Sequence, residues 1–390
     1  IMIPGGPRAH IKSFHGLTSV FRLRVLWPLG AVFLIGLLVP AAQGQAEMIV
    51  RVQEESPLLR TLESTAKTGV DPGDETLASV RRVRRLFDRS IAMGKSGEQP
   101  FPVYLVVLPD SSSLDAAMND WGRRSDVRYV QYNHTYSVDA ADDAPDPLAD
   151  SLDHFAVVGV AEAWELTTGS PDVTVGLVDT GVSFDHPDLL GQFAIRIGED
   201  IDGDGRLTAA DLNGVDDDGN GYVDDVSGYD FVDRPQTVDP GDFHDPDPVA
   251  EDDGSGHGTN VAGNVGAAGS NGVGISGLAP GVRLVPLRAF GRDGRGDDDD
   301  IARAVVYAAE NQISVLNLSF GDIHVSPLMQ DAIRYAVERG VVVVASAGNV
   351  GGDKPHYPSD YPEVLSVAWL SADGSSLSSR GSAGVGVDIG

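Results

Sequence analysis

Between positions 173 and 368 short apolar runs, rich in β-branched residues, alternate with stretches whose apolar positions recur at the helical period. The runs 173–178, 283–287, 315–318, 341–345 and 364–368 predict strands, while a helix opens at His257 and others cover 300–311 and 327–339. These strand runs lack polar alternation, the pattern of strands covered on both faces. Strand and helix in turn predict an α/β fold, a parallel sheet with helices on both faces and a ligand crevice at the carboxyl ends of the strands. Asp179 and Asn349 both fall just after such ends.

Ahead of this region the segment 47–138 carries a strand-like run at 103–108, a helical stretch at 112–121 and a second strand at 127–132, a small α/β unit of its own. The stretch 139–152 is rich in Asp, Ala and Pro and predicts a solvated acidic linker, so a domain boundary belongs there and the second domain spans 153–390. Before Glu47 the only charges are Arg8, Lys12, Arg22 and Arg24, followed by the apolar run 26–39 and small residues up to Ala46. That order predicts a signal peptide over 1–46 and a secreted protein. The run contains Pro28 and is shorter than the ~20 residues a spanning helix needs, so no stable membrane anchor is expected after processing. The chain starts at Ile1, which reads as a cut from something longer.

The 390 residues contain no cysteine, so no disulfide can staple the fold. A formal charge of −30 excludes nucleic acid as a partner, because phosphate contacts need clustered Lys and Arg. The acid is concentrated: residues 197–255 hold 19 Asp and Glu against Arg206 and Arg234. Within this insertion Asp200, Asp202 and Asp204 are spaced as the first ligands of a calcium loop, with Gly205 at its turn, Arg206 offering a carbonyl and Asp211 at the closing position. Asp216, Asp218, Asn220, Tyr222 and Asp224 repeat the opening of that pattern, though Ser227 stands at the closing position. Carboxylates this crowded repel one another unless a cation intervenes, so structural Ca2+ is expected.

Three short motifs carry the chemistry. They are Asp179 in Val-Asp-Thr-Gly-Val, His257 in Gly-His-Gly-Thr-Asn-Val-Ala-Gly, and Asn349 in Ser-Ala-Gly-Asn. Together with Leu278-Ala279-Pro280, Asn317-Leu318-Ser319-Phe320-Gly321 and Tyr357-Pro358-Ser359, they resemble the subtilase family of serine proteases from about Asp153 to Gly390. The resemblance implies that Asp179 orients His257, that His257 shuttles the proton of a serine, and that Asn349 donates to the oxyanion. It further implies that protein or peptide substrates lie extended between Gly294, Arg295, Gly296 on one edge and Leu318, Ser319, Phe320, Gly321 on the other, near Ala347 and Gly348. Phe320 would line an apolar pocket, a core aromatic being the alternative. Asp297 to Asp300 read as acids at a helix start, favoured by its dipole. Residues 47–138 would act as a pro-region that assists folding and inhibits the enzyme intramolecularly.

No Gly-Thr-Ser nucleophile motif precedes Gly390. The expectation is therefore a secreted, zymogen-type serine endopeptidase truncated before its serine and inactive as written. The competing expectation is an exported calcium-binding or adhesion module on a non-catalytic protease scaffold.

Overall fold

The computed structural model describes residues 46–54, 56–68, 77, 80–87, 101–109, 113–138, 153–232, 249–252, 254–349, 351–352, 354–382 and 386–390. The leader read at 1–46, save Ala46, and the linker read at 139–152 lie outside the described residues. The elements in chain order are β1 (Ala46–Val52), α1 (Pro57–Thr68), β2 (Arg82–Arg85), β3 (Val103–Leu108), α2 (Leu114–Gly122), β4 (Val127–Tyr132) and β5 (Thr135–Val138). They continue with α3 (Asp153–Val157), α4 (Val160–Trp164), β6 (Thr174–Asp179), β7 (Tyr229–Asp230), α5 (His257–Gly266), β8 (Arg283–Arg288) and β9 (Arg295–Asp297). The remainder are α6 (Asp298–Glu310), β10 (Val315–Leu318), β11 (Phe320–Gly321), α7 (Pro327–Glu338), β12 (Val342–Ser346) and β13 (Leu365–Val367).

Six strands form a parallel sheet in the order β13-β12-β10-β6-β8-β7. Its central strand β6 shows why the apolar runs lack polar alternation. Val175 and Leu177 point to one face, into a cluster with Ala262 of α5, whereas Val178 joins Ile301, Val305 and Ile333 of α6 and α7 on the other. Each face removes apolar area from water at roughly 25 cal/mol per Å², so both registers are held by burial. Among the described residues no helix is long and apolar enough to cross a membrane.

The N-terminal unit is a four-stranded antiparallel sheet, β2-β3-β1-β4. Its β3 residues alternate between two cores: Tyr104, Val106 and Leu108 pack with Leu58, Leu62 and Trp121 of α1 and α2, and Val103, Leu105 and Val107 join the cluster containing α6 and α7. Both faces of this sheet are therefore buried, one of them against the cluster that contains α6 and α7.

Polar contacts reinforce that packing at the starts of two helices. The Asp298 N–H donates to the His134 carbonyl at 2.8 Å, and the Asp299 N–H to Asn133 Oδ1 at 3.3 Å. On α7 the Ser326 hydroxyl accepts from Met329 N–H at 3.1 Å, while Gln131 Oε1 accepts from Leu328 N–H at 2.9 Å. The first turns of α6 and α7 thus find hydrogen-bond partners in the N-terminal unit, where isolated helices would leave those donors to water. Arg84 adds a 2.5 Å ion pair to Asp299, and Arg51 pairs with Asp331.

Strand β5 leaves the N-terminal unit and becomes the middle strand of a separate sheet, β11-β5-β9. Both its neighbours are antiparallel: Ser137 and Val138 face Gly321 and Phe320, and Thr135, Tyr136 and Ser137 face Asp297, Gly296 and Arg295.

Candidate active site

Asp179 is the last residue of β6 and is only 1% exposed at its side chain. The chain then turns at Gly181, whose φ of +88° suits glycine and whose added Cβ would lie 2.4 Å from the Glu251 carbonyl oxygen. Helix α5 starts beside that turn with His257. Asp252 shapes the approach, its carboxylate accepting from the N–H groups of Gly254 and Gly256, each at 2.9 Å, and from the Thr259 hydroxyl at 2.7 Å.

Gly258 lets the helix come so close. A Cβ there would sit 2.1 Å from the Gly181 carbonyl oxygen and 3.0 Å from Asp179 Oδ1. The Gly258 N–H meets Thr180 Oγ1 at 3.0 Å instead. As a result His257 Nδ1 lies 2.8 Å from Asp179 Oδ1, an oxygen that also accepts the Thr180 N–H at 2.7 Å. A carboxylate can only accept, so the hydrogen of this contact is on Nδ1, and Nε2 is the nitrogen left to act as a base. Among the described residues Asp179 Oδ2 is buried without a hydrogen-bond partner.

Asn349 follows β12 at the same edge of the sheet. Strand β10 separates β12 from β6, with Leu318 opposite both Val178 and Ala345, so the two strand ends lie about 10 Å apart. A cleft of about 290 Å³ there is lined by Asn317, Ser319, Ser346, Ala347, Gly348 and Asn349. A larger cavity of about 710 Å³, lined by Pro171, Phe184 and Arg206 among others, contains none of Asp179, His257 and Asn349.

Arg295, Gly296 and Gly321 are backbone neighbours of the Thr135–Val138 region, the Gly294 N–H donates to the Gly291 carbonyl at 2.8 Å, and Ser319 faces the cleft. Leu318 and Phe320 are both fully buried. The Phe320 ring lies 5.7 Å from Tyr136, edge to face, and 4.7 Å from Phe290. Phe320 is therefore packed in the same core cluster as Tyr136 and Phe290.

In the acidic insertion two groups of carboxylates converge, Asp200 with Asp202 and Asp204, and Glu199 with Asp218 and Asp225, each set offering oxygens within 4.8 Å of one another. Other candidates are engaged by backbone amides. Asp211 accepts from Ile201 and Thr208 N–H, Asp224 from Asn213 and Gly214, and Asp216 from Asn220 and Gly221. Arg206 N–H donates to Asp204, and Tyr222 N–H to Asn220 Oδ1. The two loops thus repeat the same turn geometry. Glu199 was not among the sequence candidates, because it precedes the loop pattern.

The second group is short of positive charge. Burial pushes the Asp225 carboxyl up to about 7 against the pull of Arg196, and burial also raises Glu199. Glu199 Oε2 and Asp225 Oδ1 are buried with no hydrogen-bond partner among the described residues. All-oxygen donors, two of them orphaned, fit a hard cation such as Ca2+.

Comparison with known proteins gives a consistent result. The profile of the subtilase family matches residues 170–389. The chain is 36% identical over 206 residues to a thermophilic serine proteinase of Bacillus sp. (strain AK1), covering 53% of this chain and 40% of that protein. It is 31% identical over 207 residues to thermitase of Thermoactinomyces vulgaris, covering 53% and 58%. The crystal structure of fervidolysin from Fervidobacterium pennivorans shares the fold, with a TM-score of 0.54 at 22% identity over 85% of this chain and 44% of that one. The chain spans from 40% to 58% of the length of the two curated relatives.

Proposed function

Because the chain belongs to the subtilase family of serine peptidases, we propose that it supplies the acid, base and oxyanion donor of a secreted serine endopeptidase made as a zymogen. The observation that carries this reading is the 2.8 Å contact between buried Asp179 and His257 Nδ1. In it Asp179 fixes the tautomer and stabilises the imidazolium, so that Nε2 takes a proton from a seryl hydroxyl as that oxygen attacks the peptide carbonyl. The negative charge moves to the carbonyl oxygen, where the Asn349 amide would donate to it. Return of the proton from Nε2 to the leaving amine completes acylation, and water repeats the sequence in reverse roles.

Strand β5 supports the zymogen part of the reading. An extended segment pairs on both sides with the backbones of β9 and β11, as a substrate held by strand addition would. The N-terminal unit to which it is joined would block the groove until cut away. In the insertion Asp200, Asp202, Asp204 and the Glu199, Asp218, Asp225 group would hold Ca2+, whose chemistry here is structural: it neutralises crowded carboxylates and binds only the folded form.

A fluorophosphonate probe tests the reading on the full-length protein. Covalent labelling of one serine, absent in His257→Ala, is expected, and the labelled peptide identifies the nucleophile. A non-catalytic calcium-binding scaffold would take no label in either form.

A further inference from the structure

In β5 the side chains of Thr135 and Ser137 are exposed, whereas that of Tyr136 between them is only 1% exposed. Its backbone lies opposite Gly296 of β9, within the stretch of β5 that pairs on both sides. Phe320 packs edge to face on the ring, and Phe290 backs Phe320. These apolar neighbours account for an aromatic ring. They do not account for its hydroxyl.

The hydroxyl belongs to a polar group buried beside α6 and α7. Burial pushes the Tyr136 phenol well above its usual value, and the charge of Asp298 and then Tyr361 push it further. Burial likewise raises the Asp298 carboxyl to about 7, Tyr136 being among the groups that pull it back. The neighbours are tied together. The Ser326 N–H donates to Tyr361 Oη at 2.8 Å, Tyr361 donates to the Ser326 carbonyl at 2.9 Å, and the Gln131 amide donates to Asp298 Oδ2 and Ser326 Oγ, each at 3.0 Å. Asp298 is fully buried, yet neither its Oδ1 nor the Tyr136 hydroxyl has a hydrogen-bond partner among the described residues. An acceptor and a donor with unspent capacity therefore sit in one buried place.

Resting on the peptidase reading, we propose that Asp298 determines specificity, selecting tyrosine over phenylalanine at the substrate position that Tyr136 occupies in β5. On the zymogen reading the N-terminal unit departs and takes the Tyr136 ring with it. It also takes two donors from Asp298 Oδ2, the Gln131 amide and the His134 N–H at 3.2 Å. Phe290, Asp298, Phe320, Ser326 and Tyr361 stay, since all lie within the residues 170–389 that match the family. A substrate tyrosine then meets both kinds of neighbour. Its ring covers Phe320, and its hydroxyl donates to the carboxylate in a charge-assisted hydrogen bond. A phenylalanine covers the same acid and leaves it unpaired, which is penalised.

The test is a scan of quenched fluorogenic peptides given to the full-length protein once it has matured, with Tyr, Phe or Leu placed in turn at each of about five positions before the cut. At one position Tyr is expected to exceed Phe at least about 10-fold in kcat/KM. In Asp298→Ala the two peptides should come within about 3-fold of each other at that position. Asp298→Asn keeps the shape and loses the charge, so it carries the comparison if the alanine variant does not fold, the Tyr to Phe ratio falling at least about 3-fold. Equal rates for Tyr and Phe at every position in the unaltered enzyme, or a preference that survives both substitutions, overturn the proposal. Hydrogen exchange in the uncleaved full-length protein reads the same contact without hydrolysis. Tyr136→Phe should speed exchange at the Gly296 amide at least about 5-fold, and less than about 2-fold when Asp298 is already Asn. Exchange indifferent to the hydroxyl also overturns the proposal, whereas absent fluorophosphonate labelling with that coupling intact counts against the peptidase reading alone.

Discussion

Substituting Gly258 by Ala tests how the Asp179–His257 pair is positioned. The new methyl group would sit 2.1 Å from the Gly181 carbonyl oxygen, against an ordinary carbon–oxygen contact of about 3.2 Å, so the start of α5 has to retreat by about 1 Å. His257 is its neighbour in the chain and moves with it. The 2.8 Å contact to Asp179 then opens to about 3.8 Å, outside hydrogen-bond range. Overpacking of this kind costs about 1–3 kcal/mol, and a misplacement of about 1 Å in a catalytic constellation costs about 10²-fold in rate. The control is Gly256→Ala, because that glycine has nothing within 4 Å of its Cβ position yet holds a φ of +77°. It should lose about 1–3 kcal/mol of stability to backbone strain while largely keeping its activity. Peptide hydrolysis and thermal melts of the full-length variants give both quantities. If Gly258→Ala keeps kcat/KM within about 3-fold, the close approach at Gly181 is not what sets the imidazole.

Truncating Tyr136 to Ala removes a buried ring from between β9 and β11, a loss of about 3–5 kcal/mol if the site does not collapse. Faster hydrogen exchange at the Gly296 and Gly321 amides is expected, and unchanged protection there would show that backbone pairing alone retains β5. Burial pushes the Asp298 carboxyl up to about 7 from 3.8, so the folded form binds its proton more tightly and this group disfavours the fold increasingly as pH rises from about 4 to about 7. In Asp298→Asn that part of the pH dependence of the melting temperature should vanish, and an unchanged profile would refute it. Saturating calcium at about 100 times Kd should stabilise by about 2.7 kcal/mol. Chelation should lower the melting temperature, and Glu199→Gln with Asp225→Asn should shrink the effect; a melt indifferent to chelator would remove the ion from the account.

The parallel sheet was legible because burial on both faces imposes unbroken apolar runs, and β6, β8, β10 and β12 lie within a residue of their expected places. The N-terminal unit was half legible. Strand β1 interleaves Glu47 and Arg51 with its apolar residues, and β2 is Arg-Val-Arg-Arg, so neither shows a clean period. Strands β5, β9 and β11 have two to four residues each and exist through their partners. Asp179, His257 and Asn349 stood out because their glycine-rich surroundings are unusual at strand and helix ends. Glu199 did not, since what singles it out is a pair of neighbours distant in sequence, Asp218 and Asp225. The acids 298–300 read as a helix start favoured by its dipole, yet all three are buried, Asp298 and Asp299 against Gln131, Asn133 and Arg84 of the N-terminal unit and Asp300 against Arg303.

Gln131, Asn133 and His134 close the starts of α6 and α7 from a segment that the zymogen reading discards. Were that segment removed, those helix-start amides would lose the acceptors they have here. On the zymogen reading, the endurance of the remaining body would then rest on the height of its barrier to unfolding.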